Sequence, residues 1–376
     1  MERDCLSCKF VNWSGMISRF AREFRLDSAK RKLDRSQRPV RYRVRGNWSL
    51  KYRSRRRLRR RSSHKRRDDG WSLGENSTHL ICFTISSFRY NHVMQKYTAT
   101  EKIDYLAIGH FSKDILPNGS RLGGTVVYSA LMARALGLRV GILSSFNAGD
   151  LDLSVLGDIP IINIPSEKTT TFENTLNKNR REQILHRRAT LIDFEQVPEN
   201  WKRSAIIHLA PIAQEMESQL PAGFSPALLG LTPQGWLRGW DDEGRVSLRK
   251  WLQAEASLNH ASAAVLSVED VEADEELIEE FSLASRVLAL TEGSEGTRLY
   301  WNNDLRRFPT SPVKTIDTTG AGDIFATAFF IRLHSTRDPW EAARFATCLA
   351  SKSVTRGWLE GIPTQEEIQI CQMEVL

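Results

Sequence analysis

Cysteine is scarce in this chain: five occur in 376 residues, too few and too scattered for a disulfide-built scaffold. Long apolar runs are absent as well. The strongest candidate, around Leu80–Ile85, is too short and too broken by Thr and Ser to span a bilayer. No secretory signal of basic start, apolar core and small-residue cleavage site is visible, so the expectation is a soluble protein of a reducing cytoplasm. With 23 glycines and 13 prolines, collagen-like and low-complexity classes are excluded. What is there is ordinary globular material: 41% apolar and 26% charged residues, enough for one large α/β domain or two smaller ones. Cys5 and Cys8 form a CxxC pair, but a zinc site needs four ligands and no second pair lies nearby, so both read as incidental thiols.

The net charge of +8 divides unevenly along the chain. Residues 1–100 hold 26 Lys and Arg against 8 Asp and Glu, a net of +18, which leaves the remainder at −10. An acidic body repels phosphate on average, so any argument for nucleic-acid binding rests on the first hundred residues. The run Lys51-Tyr52-Arg53-Ser54-Arg55-Arg56-Arg57-Leu58-Arg59-Arg60-Arg61 is too densely charged to bury a core, and a disordered basic extension over 1–100 is expected. As an arm for RNA, DNA or an anionic surface it would be helped by stacking from Trp48 and Tyr52. The alternative is a solvated extension, or upstream sequence with Met94 as the natural start.

Order is expected from about Lys102. Ile103–Gly109 reads as a buried strand, Val126–Leu136 as a helix stopped by Gly137, and Val140–Leu143 as the next strand, a βαβ unit. Apolar runs at Ala205–Leu209, Ala227–Leu231, Ala263–Leu266 and Val287–Leu290 alternate with helical stretches at Val246–Leu258 and Glu272–Leu283. That rhythm predicts a mostly parallel sheet covered by helices on both faces. Thr169–Leu176 and Glu182–Arg188 break it: they flank a turn-rich stretch and predict a β-hairpin, a lid segment near 165–190.

The most informative string is Asp317-Thr318-Thr319-Gly320-Ala321-Gly322-Asp323, followed by the apolar run Ile324–Ile331. Small residues opening a buried helix leave backbone N–H groups uncovered, and with the positive helix end they form a place for a phosphate oxygen. Asp323, in the first turn, can take a proton from a substrate hydroxyl while those amides stabilise a transferring phosphoryl group. The plainer alternative is that Asp317 or Asp323 caps the helix and the glycines form a turn. The whole string, however, resembles the C-terminal signature of the PfkB (ribokinase-like) carbohydrate kinase family.

The resemblance covers roughly residues 101–376 and implies a ribokinase-like three-layer α/β fold with a small β lid. Gly109-His110-Phe111-Ser112-Lys113-Asp114 is similar to the family's first strand and substrate-binding Asp, which implies that Asp114, on a loop after that strand, holds substrate hydroxyls. Leu122-Gly123-Gly124-Thr125 resembles the Gly-Gly substrate loop, with Gly123 and Gly124 at the substrate; many members carry Asn where Tyr128 stands. Thr291-Glu292-Gly293-Ser294-Glu295-Gly296 fits Thr-x-Gly-x-x-Gly and implies nucleotide binding at Thr291, Gly293 and Gly296. Where the family has Asn-x-x-Glu near magnesium, this chain has Ser267-Val268-Glu269-Asp270, so Asp270 would act on the ion through water, with Glu269 a second choice. Leu231–Arg238 resembles the inositol-type subgroup and offers Gln234 or Arg238 to substrate. His208 reads as satisfying local backbone and Cys348 as packing.

The reading implied is transfer of the ATP γ-phosphate, with Mg2+, to a hydroxyl of a small sugar or polyol by a monomer or homodimer without membrane contact. Asp323 is the base, and Gly320, Ala321 and Gly322 the anion hole. A nucleoside kinase, a non-catalytic ligand-binding relative and a nucleic-acid binder acting through the arm are the alternatives.

Overall fold

A computed structural model describes residues 101–177 and 180–373. The expectations for residues 1–100, including the basic arm and the CxxC pair, and for the turn residues Lys178 and Asn179, lie outside the described residues.

In chain order the strands are β1 (Tyr105–Ile108), β2 (Ser112–Leu116), β3 (Gly119–Gly123), β4 (Val140–Phe146), β5 (Ile161–Pro165), β6 (Thr170–Asn177), β7 (Arg180–Arg187) and β8 (Ile206–Leu209). They continue with β9 (Leu228–Leu231), β10 (Arg238–Trp240), β11 (Val246–Leu248), β12 (Ala263–Ser267), β13 (Val287–Thr291), β14 (Thr297–Trp301) and β15 (Asp304–Phe308). The helices are α1 (Thr125–Ala135), α2 (Gln234–Leu237), α3 (Ala254–His260), α4 (Glu275–Ala284), α5 (Ala321–Thr336), α6 (Pro339–Ser353) and α7 (Gln365–Met373).

Nine strands form the main sheet in the order β15-β14-β13-β12-β9-β8-β1-β4-β5. From β13 to β5 every pairing is parallel; β14 and β15 close the other edge antiparallel. Burial on both faces explains why the central strands are mostly apolar, with His208 of β8 and Ser144 and Ser145 of β4 as buried polar exceptions. In β1 the side chains divide by the period of two: Tyr105 and Ala107 join the core with α1, α5 and α6, whereas Leu106 and Ile108 face the core with α3 and α4. The expected three-layer α/β arrangement is what the structure has.

Three local expectations need correction. Val246–Leu258 is not one helix: β11 pairs antiparallel with β10, and only Ala254–His260 is helical. The cause is the turn before it, where Asp241 Oδ1 accepts from the amides of Glu243 (3.1 Å) and Arg245 (2.8 Å) and so sets a hairpin. The lid is larger than one hairpin, because β6 and β7 continue a four-stranded sheet, β3-β2-β6-β7, in which β2 pairs parallel with β6. Asp114 accordingly lies on strand β2 rather than on a loop. Third, Cys348 of α6 is joined to Cys371 of α7 in a disulfide with Cα atoms 5.8 Å apart, so it is a crosslink as well as packing. A separation of 23 residues gave no sequence signal for the pair.

Candidate active site

At the start of α5 the chain needs a left-handed residue, and Gly320 provides it with φ 79°. A Cβ at that position would lie 2.3 Å from the Tyr128 ring, so the close approach also requires glycine. Asp323 follows in the first turn of α5, as its spacing predicts. Of the three expected anion-hole amides, that of Ala321 is already donated to Thr318 O at 3.2 Å. Gly322 presents open space: a Cβ there would meet nothing within 4 Å. First-turn N–H groups have no intrahelical acceptor, so this uncovered backbone is the part of the helix start suited to an anion.

Asp317 organises the loop instead of the helix. It accepts from the amides of Thr319 (2.9 Å) and Trp358 (3.1 Å) and, at 3.4 Å, from Arg121. Burial works to raise its pKa, but the Thr319 and Trp358 donors and the Arg121 charge outweigh it and hold the carboxyl below its ordinary range. Arg121 itself comes from lid strand β3, directly opposite Asp114 of β2, and its second contact is to Thr319 Oγ1 at 3.0 Å. The indole of Trp358 donates to Leu122 O at 2.9 Å, a further tie between the C-terminal segment and the lid strand.

Asp114 accepts from Ser112 Oγ at 2.8 Å and packs on Gly123, where a Cβ would lie 2.4 Å from its Oδ2. Gly124, at φ 98°, turns the chain from β3 into α1; a Cβ there would strike His110 O at 2.6 Å. Four residues on, Tyr128 brings its ring onto Gly320. The sequence thus brings Asp114, Gly123, Gly124, Gly320 and Asp323 to one junction of lid and body, through Arg121 and Tyr128.

Gln234 and Asp270 meet elsewhere: Gln234 Nε2 donates to Asp270 Oδ1 at 2.8 Å, and both line a cleft of about 180 Å³ with Glu269 and Arg238. Asp270 Oδ2 also accepts from Ser267 N at 2.9 Å in a capping box, so its carboxylate is largely engaged in shaping the turn after β12. Arg238 donates to Ile212 O at 3.0 Å and covers the Phe172 ring of the lid at 5.4 Å. Thr291 ends β13 and Gly293–Glu295 form a short turn; a Cβ on Gly293 meets nothing, whereas Gly296 is pressed against Phe308 O. A larger hollow of about 540 Å³, beside Phe194 and Leu220, is lined by none of the expected site residues.

His208 bonds side chains rather than the local backbone expected of it. Its Nδ1 pairs with Tyr105 Oη at 2.8 Å and its Nε2 with Thr232 Oγ1 at 2.9 Å, and burial pushes its pKa down to about 3. Tyr105 also reaches Thr327 Oγ1 (3.4 Å), which donates to the Asp323 carbonyl at 2.9 Å, so the buried chain ends beneath the first turn of α5. Two residues were missed by sequence reasoning. Glu215, fully buried, accepts from the amides of His110 (2.9 Å) and Ala213 (2.7 Å) and joins the ends of β1 and β8. Arg121 was legible only if Gly119–Gly123 had been recognised as a strand opposite Asp114.

Known proteins share a family segment and the fold with this chain. Residues 253–363 match the pfkB family carbohydrate kinase model, a segment that includes Asp270, the Thr291–Gly296 turn and Asp323. A ribokinase of Bacillus subtilis is 39% identical over 92 residues, 24% of this chain and 31% of that protein. The chain spans about a third of the length of the first curated relatives it matches. Among solved structures, a pyrophosphate-dependent kinase in the ribokinase family, complexed with a pyrophosphate analogue and myo-inositol, superposes with TM-score 0.57 at 20% identity, covering 69% of this chain and 98% of its own. Arabidopsis thaliana ribokinase complexed with ribose and ATP gives 0.56 at 16% identity, covering 73% and 99%. At such identities these likenesses concern the fold, which is ribokinase-like, and the resemblance seen in the motifs is borne out for the PfkB segment.

Proposed function

We propose that this protein transfers the γ-phosphate of ATP to a hydroxyl of a small sugar or polyol, with residues 101–376 as the kinase unit and β2, β3, β6 and β7 as its lid. The observation that carries the reading is the juxtaposition of Asp323 with the open backbone of Gly322 at the left-handed Gly320 start of α5. The kinase relatives and the PfkB match over 253–363 support it.

Asp323 takes the proton of the acceptor hydroxyl as its oxygen bonds to phosphorus, and the bond to the donor's bridging oxygen breaks, leaving ADP. The N-terminus of α5 faces the charge on the transferring group. Asp114 orients the acceptor by its hydroxyls, and the lid, by closing, excludes water, a competing acceptor.

The residues fit a nucleotide at Gly293, whose open backbone can lie against phosphate or ribose, while Gly296 serves the turn. For magnesium, no group of three His, Cys, Asp or Glu able to hold a metal ion occurs among the described residues, which suits an ion carried by phosphate oxygens and water. Asp270 would then accept from a metal-bound water with its remaining lone pairs. When bound, the ion neutralises the donor phosphates. Among the described residues no helix is long and apolar enough to cross a membrane.

The test is product formation by the full chain with Mg2+ and ATP, and with pyrophosphate in parallel, over ribose, fructose, myo-inositol and nucleosides. Transfer to a sugar or polyol from ATP is expected. Transfer only to nucleosides, or only from pyrophosphate, would replace the acceptor or donor assigned here; nucleic-acid binding without any transfer would overturn the reading.

A further inference from the structure

Two donors are left without partners where the lid meets the start of α5. The Tyr128 hydroxyl is buried, its residue only 2% exposed, and it makes no hydrogen bond. Arg121 uses its terminal nitrogens on Thr319 and, at a long 3.4 Å, on Asp317, while its buried Nε has no acceptor. Buried polar groups are nearly always paired and a donor left unmet is destabilising, so two at one place call for an oxygen-rich ligand.

The surroundings say which kind. Burial and the charges of Asp323, Asp114 and Asp317 keep the Tyr128 phenol protonated, opposed only by Arg121, so it stays a donor. A hydroxyl-bearing molecule needs no cation here. A phosphoryl group entering among three carboxylates does, and Arg121 is the guanidinium that acts on this point. Its long contact to Asp317 is the weakest of that carboxylate's three, and is the one to exchange.

We propose that the Arg121 guanidinium and the Tyr128 hydroxyl complete an oxyanion site with the Gly322 backbone and bind the oxygens of the transferring phosphoryl group. Arg121 rides on lid strand β3 and Tyr128 on α1, so the site is assembled when the lid meets the body. The role of both in transfer rests on the kinase reading; the anion site itself does not.

The experiment compares wild-type full chain with Arg121→Gln, Arg121→Lys and Tyr128→Phe. Binding of inorganic phosphate and of pyrophosphate is followed by calorimetry, thermal stability without ligand is recorded, and kcat and KM are measured for the acceptor that turns over. Arg121→Gln is expected to weaken phosphate binding at least ~10-fold and to lower kcat by roughly 10²–10³, the cost of removing an oxyanion donor. Acceptor KM should change far less. Tyr128→Phe should leave or raise the melting temperature, because the lost hydroxyl has no partner, yet lower kcat by at least ~10-fold. Arg121→Lys should restore part of the binding and little of the rate, as the fork is lost. Unchanged phosphate affinity and kcat in Arg121→Gln and Tyr128→Phe would overturn the proposal, as would a Tyr128→Phe variant that loses stability and not rate. Weakened phosphate binding in a protein whose wild type transfers to no acceptor would keep the anion site and overturn the kinase reading instead.

Discussion

Tyr128 and Gly320 are in such close contact that a single methyl carbon on Gly320 would sit 2.3 Å from the tyrosine ring. The contact joins α1, which follows the substrate-loop glycines, to the helix that carries Asp323. Gly320 cannot gain a side chain without displacing the Tyr128 ring.

Gly320→Ala is therefore expected to destabilise the protein by at least ~2 kcal/mol, combining the left-handed backbone penalty with the clash. Denaturant unfolding measures it. Activity should fall further than stability requires, because the start of α5 must shift.

The His208 ring gives a pH prediction. Its folded pKa is pushed down to about 3, against 6.5 when exposed, so the unfolded chain binds a proton that the folded chain refuses. Its contribution is complete above pH 6.5 and declines as pH falls towards 3, by about 1.4 kcal/mol per unit. Stability of His208→Gln, measured from pH 7 to 5, should show a slope shallower by one proton; an unchanged slope would show that His208 is protonated in the folded state.

Asp317 behaves in the sense usual for a paired carboxylate. Its folded pKa lies below the ordinary 3.8, so its stabilisation is present above that value and disappears as pH falls below it. Asp317→Asn should remove this acid-range loss and cut kcat, since the amide keeps only one acceptor oxygen, so that either Thr319 or the pair Trp358 and Arg121 loses its acceptor, and Arg121 loses the opposite charge. Acid titration of unfolding in the two proteins checks it.

The bond between Cys348 and Cys371 closes a loop of 23 residues and joins α6 to α7. Reduction, or Cys348→Ser under oxidising conditions, should cost about 3 kcal/mol and lower the melting temperature by several degrees. Equal melting of oxidised and reduced protein would show that the crosslink adds nothing to α6–α7 packing.

Much of the architecture was legible because parallel strands buried on both faces must be largely apolar: β1, β8, β9, β12 and β13 all stood out, His208 of β8 being the polar exception. Asp317–Asp323 was legible because small residues before an apolar helix have few other uses. Less visible were elements whose partners are distant. Ser112–Leu116 and Gly119–Gly123 are polar strands of a half-exposed sheet, with no apolar alternation to mark them. Arg121 was lost with them, since only strand register sets it against Asp114. Val246–Leu258 failed for a different reason: Leu248, Trp251 and Leu252 suit helical spacing, and the Asp241 turn overrode it. Cys348 and Cys371 are brought together by the packing of α6 and α7, which no local pattern announces.

A base at Asp323 can be told from a binding residue, because its loss removes transfer and leaves binding. The direct measurement is transfer from ATP to sugars and polyols by wild type and Asp323→Asn, alongside calorimetric binding of the same ATP and acceptor. Transfer by wild type is expected, with a loss of at least ~10²-fold in kcat for Asp323→Asn and binding of both ligands retained. Binding of ATP and acceptor with no transfer by wild type, or full transfer by Asp323→Asn, would contradict a base at Asp323.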